Sequence, residues 1–340
     1  MRELVQNYPW LSEAWQQWNH YRQKLGHAYL FVATEGVGVE SLVAAVAQSC
    51  LCTQPDATGH ACGQCQNCHL YACKQHPDYY HLSKLEGKKE IAIDQVRELV
   101  AKQTETSHQG GRKVVWIESV ESMSISAFNA LLKTLEEPNG DSIFLLTTAQ
   151  LHRLPATIKS RCQLLKVSAP SLAQSSQWLA QQCPQTDAQL IKRALRLNWN
   201  APLAAKRWLA SGELEQHNQW LEQLDRVLQG REVAKRCVDA WLKWEQPNLV
   251  LDYFYQQTQQ VVRQLGYQSP VQNSAVLQSW LRFEQVIGQA RRQWAGNANP
   301  SLLLENLLTL WLALKRSPEN AFDAFEQNPF ESQWIRGEIG

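Results

Sequence analysis

Apolar residues are arranged in two ways along this chain. In the first half they gather into short continuous runs: Ala28–Ala33 (AYLFVA), Lys113–Ile117 (KVVWI) and Ile143–Thr148 (IFLLTT). Runs of this length, rich in β-branched and aromatic residues, predict strands buried on both faces. Asp78–Leu82 and Leu164–Val167 are weaker runs of the same kind. Between them, Ser41–Leu51, Ile91–Ser107 and Ser124–Glu137 carry apolar residues at helical spacing. Ile93, Val96, Leu99 and Val100 share one side of the second segment, and Pro138 stops the third. Strands that alternate with helices predict an α/β domain, a parallel sheet with helices on both faces and right-handed crossovers. Beyond Ala169-Pro170 the strand-like runs cease. Residues 171–210 show three short helical patterns, and long amphipathic helices follow from Gly212, among them Ala275–Ala290 and Leu302–Lys315. Pro170-Ser171 and Ser211-Gly212 are the predicted boundaries. The chain therefore divides into an α/β domain over 1–167, a small helical domain over 168–211 and an all-α domain over 212–340.

Composition narrows the reading. A length of 340 residues suits two or three domains, and 44% hydrophobic against 19% charged residues supports a sizeable core. A formal net charge of +1 excludes a bulk electrostatic grip on DNA. No apolar stretch is long enough to span a bilayer, and MRELVQNYPWLSEAW has no apolar signal region, so a cytoplasmic protein is expected. Ten of the 14 tryptophans lie after residue 170, where they read as packing anchors.

The first predicted strand runs into a glycine-containing turn and a helix, the order of a phosphate-binding loop. A working loop reads G-x-x-x-x-G-K-[ST]: its backbone N–H groups cradle phosphates, its Lys reaches them and its hydroxyl binds Mg²⁺. Here the aligned residues are Ala33-Thr34-Glu35-Gly36-Val37-Gly38-Val39-Glu40. Val39 stands at the Lys position and Glu40 at the hydroxyl position. An attraction is lost and a repulsion added, each of roughly 4 kcal/mol for unit charges 4 Å apart at an effective dielectric near 20. Gly36 and Gly38 keep the tight turn, so the turn can persist without its ligand. The loop alone is equally compatible with an ordinary strand–helix turn in an unrelated α/β protein. Glu118 ends the KVVWI strand where a Mg²⁺-organising acid would sit, but Ser119 replaces the catalytic carboxylate. Thr147-Thr148 stands either for a γ-phosphate sensor or for a plain strand-end hydroxyl pair.

Six of the nine cysteines lie between Cys50 and Cys73. Cys62-x-x-Cys65-x-x-Cys68 with Cys52 upstream is the spacing of a closed four-thiolate structural zinc site in the insert 52–77. Cys50 and Cys52 are about 200° apart on a helix, and Cys52 lies nearer the insert. His60 and His69 are alternative ligands. Cys50 and Cys73 read as unliganded thiols.

Three stretches then combine: the cysteine insert followed by His76–Leu82 (HPDYYHL), Asn129–Pro138 (NALLKTLEEP) and Ser160-Arg161-Cys162. Together they resemble the clamp-loader family of bacterial DNA polymerase III, AAA+ proteins that open the ring-shaped sliding clamp. The resemblance is sharp over residues 28–167 and rests on architecture beyond them. It implies a RecA-like AAA+ domain, a helical lid and a helical collar, and a pentameric ring with tau/gamma and delta subunits acting on the sliding clamp and primer-template DNA. It implies that Arg161, supported by Ser160, is an arginine finger for a neighbour's ATP site. With Gly36, Gly38, Val39 and Glu40 as a degenerate loop, no ATP is expected on this chain and no catalysis by it alone, only as part of a polymerase holoenzyme. The lid segment Asn200-Ala201-Pro202-Leu203 lacks the Gly-x-x-Arg sensor of active members. Asn139-Gly140 stands where the family often has prolines. Lys133, Glu136 and Glu137 remain without a role, and the two glutamates oppose the dipole of their helix. The alternatives are an active AAA+ ATPase with a non-standard loop, and a zinc-dependent nucleic-acid-binding module.

Overall fold

The structure, a computed structural model, describes residues 2–85, 87–88, 90–104, 106–138, 141–267, 274–296 and 298–322. Asn139 and Gly140 lie outside the described residues. The chain divides into two compact units, Met1–Ser211 and Gly212–Gly340.

The first unit is built on five strands: β1 (Ala28–Ala33), β2 (Tyr79–Leu82), β3 (Lys113–Ile117), β4 (Ser142–Thr148) and β5 (Gln163–Val167). All pairings are parallel, in the order β2-β3-β4-β1-β5. A parallel sheet must be covered on both faces, and alternation along the strands divides the cover. Tyr29, Phe31, Val114, Trp116, Ile143, Leu145 and Leu165 face one core, together with α1 (Arg2–Asn7), α2 (Ser12–Tyr21) and α3 (Val39–Leu51). The insert contributes a short helix, α4 (Gln66–Ala72). Ala28, Leu30, Val115, Ile117, Phe144 and Leu146 face the other core, covered by α5 (Ile93–Thr104), α6 (Ile125–Glu136) and the single turn α7 (Ala156–Lys159).

The local signals act as elementary chemistry requires. The Ser124 hydroxyl caps α6 by accepting from the Ala127 N–H at 3.2 Å. The helix predicted over Ile91–Ser107 is shorter than its apolar spacing suggested. Ile91 is used in a parallel bridge to Met123, and beyond Thr104 the backbone turns through a loop tied to Asp78. The unit ends in three helices, α8 (Leu172–Gln182), α9 (Ala188–Leu197) and α10 (Pro202–Ala210). A Ser171/Gln174 capping box opens α8, and Pro202 sits in the first turn of α10.

The second unit is helical among its described residues: α11 (Glu213–Leu228), α12 (Ala234–Trp241), α13 (Leu249–Tyr267), α14 (Ser274–Ala295) and α15 (Pro300–Arg316). Its core is aromatic, with Trp220, Trp241, Phe254, Phe283 and Trp311 buried together. Among the described residues no helix is long and apolar enough to cross a membrane.

Candidate functional site

Parallel strands place all their carboxyl ends at one edge of the sheet and all their amino ends at the other. The two features that the sequence marks as nucleotide-related candidates fall on opposite edges. The degenerate loop follows β1 at the carboxyl edge. Arg161 precedes β5 at the amino edge, because Gln163 pairs with Tyr29 and Val167 with Ala33. Four strand residues, about 13 Å at 3.3 Å each, separate the two edges before either loop is counted.

At the carboxyl edge the turn has kept its glycine geometry, with φ of +81° at Gly36 and +89° at Gly38. Gly38 caps α3, and Glu40 in the first turn puts a carboxylate where the helix dipole favours an anion. The chain thus supplies the negative charge that a phosphate would bring. Protein also fills the space over the turn. The Leu203 N–H, at the start of α10, donates to the Gly36 carbonyl at 3.0 Å. A methyl added at Gly36 would lie 2.5 Å from Ala204 Cβ and 2.8 Å from its backbone nitrogen. The Leu203 side chain lies 3.3 Å from the same position at Gly38. The Trp10 indole donates to the Val37 carbonyl at 2.8 Å, and Val37 is fully buried. Trp10 packs edge-on against Trp178 at 5.4 Å, and the Trp178 indole donates to the Asn7 carbonyl at 2.7 Å. Trp10 and Ala204 carry no sequence signal, and Leu203 enters the sequence reading only as part of the lid segment without its sensor, since nothing local links these residues to positions 36–38.

The other nucleotide-handling candidates lie at the same edge and each has a protein partner. Alternation puts Glu118 on the Trp116 face, where its carboxylate meets His81 Nε2 at 3.1 Å while the His81 ring stacks on Trp116 at 4.3 Å. The His81 hydrogen bond holds the Glu118 carboxyl below its ordinary value. Thr147 and Thr148 are buried, and their hydroxyls accept from the N–H groups of Ser119 (3.2 Å) and Gln150 (3.0 Å). They serve as strand-end backbone partners.

At the amino edge Arg161 is held on three sides. Its Nη1 donates to the Thr157 carbonyl at 2.9 Å and to the Ser160 hydroxyl at 3.4 Å. Its Nη2 pairs with Glu136 at the end of α6, 2.5 Å away. Ser160 itself donates to Thr157, closing a small network on the last turn of α7. The neighbouring Cys162 packs into the sheet core, where burial pushes its thiol up to about 12. The Arg161 side chain remains 32% exposed.

In the insert the sulfurs of Cys52, Cys62, Cys65 and Cys68 lie within 4.8 Å of one another, and no other group of three or more His, Cys, Asp or Glu ligand atoms of this kind occurs among the described residues. Cys65 is 3.9 Å from Cys52, and Cys62 is 4.0 Å from Cys68. Backbone N–H groups of Cys62, Cys65 and Cys68 point at the sulfurs of Cys52, Cys62 and Cys65. Burial raises the Cys65 thiol, but N–H groups of Thr53 and Cys68 outweigh it and bring it to about 6. Such a set of sulfurs is able to bind a metal ion. Cys50 is buried in the sheet core and Cys73 is exposed, both apart from this group. His60 packs its ring 4.2 Å from Trp15, whose indole donates to the Thr58 carbonyl, so the insert is docked on α2.

A family model described as DNA polymerase III, delta subunit, matches residues 11–171. The DNA polymerase III subunit delta' of Pseudomonas aeruginosa is 37% identical over 329 residues, which span 90% of this chain and 98% of that protein. The chain belongs to the DNA polymerase III delta' family. The delta' subunit of Haemophilus influenzae is 41% identical over 219 residues, covering 64% of this chain and 65% of its own length. The tau/gamma subunit of the same organism is 35% identical over 176 residues, half of this chain and 25% of that protein. In this delta' chain the sheet is parallel with helices on both faces, and the protein is a component of the DNA polymerase III replication machinery.

Proposed function

We propose that this delta' chain is the non-hydrolysing subunit of a clamp loader that acts in the cytoplasm. In a pentameric ring with tau/gamma and delta subunits it would lend Arg161 to a neighbour's ATP site and help to load the sliding clamp onto primer-template DNA. The observation that carries this reading is the separation of two half-sites. The loop at one edge of the sheet is packed with Leu203, Ala204 and Trp10, while Arg161 lies half-exposed at the other edge, out of reach of that loop. An arginine so placed is suited to a phosphate outside its own chain. Its planar fork matches phosphate oxygens and stays charged, and such a finger accelerates phosphoryl transfer by roughly 10³–10⁵-fold. Ser160 supports it through the contact to Nη1.

The layout that fits is an AAA+ domain over 1–167, a lid over 168–211 and a collar over 212–340. The collar is the proposed site of ring assembly. The lid in this reading is closed on an empty site, since α10 makes the contacts to residues 36–38.

The four cysteines are proposed to hold zinc. A tetrahedron with Zn–S bonds of 2.3 Å has sulfur–sulfur edges of about 3.8 Å, close to the 3.9 and 4.0 Å of two cysteine pairs. All four positions would be filled by protein, so the ion would fold the insert and take no part in chemistry.

Reconstitution with tau/gamma, delta, clamp and primed DNA tests the reading. Arg161→Ala should lower clamp-stimulated ATP hydrolysis while the ring still assembles; unchanged rates would sink the finger. Equilibrium dialysis of the wild-type subunit should detect no ATP, and micromolar binding contradicts the empty site. Elemental analysis of the purified chain should find one zinc, lost when Cys65 becomes Ser.

A further inference from the structure

We propose that Glu136 is a positioning residue for the Arg161 finger; the proposal rests on the finger reading above. A carboxylate at the end of α6 is electrostatically misplaced, because the last turn of a helix favours cations. Departures from such local rules concentrate where function demands them. Here the structure supplies the compensation, since the Glu136 carboxylate forms an ion pair with Arg161 Nη2 at 2.5 Å.

The mounting is firm on both sides. Next to Glu136, Leu135 is buried in the sheet core and its carbonyl contacts His27 Nε2 at 3.0 Å. On the other side Thr157 and Ser160 hold Nη1, and Ile158 between them is fully buried. Arg161 is thus fixed between the ends of α6 and α7. A donor count shows what this leaves. Guanidinium carries five N–H groups. Nη1 donates to Thr157 and Ser160 and Nη2 is ion-paired with Glu136, while the Nε–H has no partner among the described residues. The held arginine therefore keeps its Nε–H for an incoming phosphate without releasing Glu136.

The pair is too exposed to serve stability, with Glu136 at 48% and Arg161 at 32% side-chain exposure. Exposed pairs of this kind contribute little to folding. What Glu136 removes is the rotational freedom of a long side chain before its target arrives. Glu137, the next residue, has the same charge, is exposed, and is not an ion-pair partner of Arg161. It is the internal control.

Single-turnover ATP hydrolysis by the reconstituted ring separates the possibilities. Glu136→Ala should lower kcat roughly tenfold with KM for ATP unchanged, the scale of a loosened catalytic group. Glu136→Gln keeps an acceptor at the same reach and should stay within about threefold of wild type. Glu137→Ala should have no effect. In an Arg161→Ala background the Glu136→Ala loss should vanish. Should Glu136→Ala fail to assemble, Glu136→Asp replaces it, because it keeps the charge, withdraws the carboxylate by one methylene and should show the same loss. A faster ring on removal of Glu136, an unchanged kcat, a loss that persists without Arg161, or a Gln variant as slow as Ala each overturns the positioning role while leaving the finger standing. If Arg161→Ala is itself silent, the finger reading fails instead.

Discussion

The two edges of the sheet are held by different physics. At the carboxyl edge the degenerate loop is closed by apolar packing and backbone hydrogen bonds: Leu203 and Ala204 lie over Gly36 and Gly38, and Trp10 caps Val37. At the amino edge polar side chains tie helix ends and loops to the strands. Asp78 collects the Ser107 hydroxyl and the N–H groups of His108 and Gln109, each at 2.9 Å. Lys113 Nζ donates to the Lys102 carbonyl at 2.9 Å, at the end of α5, and Arg161 meets Glu136 at the end of α6. A ligand site given up can be filled by side chains that ask only for close fit. A site kept for an outside partner must stay charged and reachable. In the function proposed above, the difference between the edges is the physical form of that division.

The comparison can be broken by perturbing each edge in turn. The largest effect belongs to Arg161. Its replacement by Ala should slow ATP hydrolysis at the adjoining site of the reconstituted ring by about 10³-fold or more, read by single-turnover kinetics, with the melting temperature of the subunit unchanged. Gly36→Ala comes next. It forces a side chain to φ +81° and into the backbone of Ala204, and should cost about 2–4 kcal/mol in denaturant unfolding. A smaller loss would mean that α10 yields easily and that the carboxyl edge is not tightly filled.

Asp78→Asn should cost about 1–3 kcal/mol near neutral pH, and it also tests the polar character of the amino edge. Burial raises this carboxyl, but the N–H groups of His108 and Gln109 and the Ser107 hydroxyl outweigh it and hold it below its ordinary 3.8. A lowered folded value means that the stabilisation is complete above the ordinary value and is lost as pH falls below it towards the folded one. The variant should therefore lose less stability than wild type on acidification below pH 3.8, measured by urea melts across the acid range. Trp10→Phe removes the bond to Val37 and trims the edge-on contact with Trp178, and should cost about 1–2 kcal/mol by the same assay. The smallest effect is expected from Val39→Lys combined with Glu40→Thr. These restore the residues of a working loop, yet dialysis should still show no ATP binding, since Leu203 and Ala204 remain in place.

Much of the architecture is readable in the residues alone. AYLFVA, KVVWI and IFLLTT become β1, β3 and most of β4 because buried parallel strands need continuous apolar runs. The Cys-x-x-Cys-x-x-Cys spacing brings three sulfurs together through one loop and a short helix, and Cys52 joins them because α3 ends at Leu51. Where short-range pattern met a tertiary competitor it failed. Ile91 has helical spacing but is taken by the bridge to Met123.

The sequence by itself determined that Val39 and Glu40 stand where a phosphate loop would carry its lysine and hydroxyl, and that an arginine lies between the last two strands. Both are properties of neighbouring residues, and spacing suffices to read them. Only the tertiary structure decided that residues 203 and 204 cover the loop, that Glu136 holds Arg161, and that loop and arginine occupy opposite edges of one sheet. The first and last of these join residues more than a hundred positions apart, the second joins two helix ends 25 positions apart, and all three depend on how helices pack and strands are ordered in the fold.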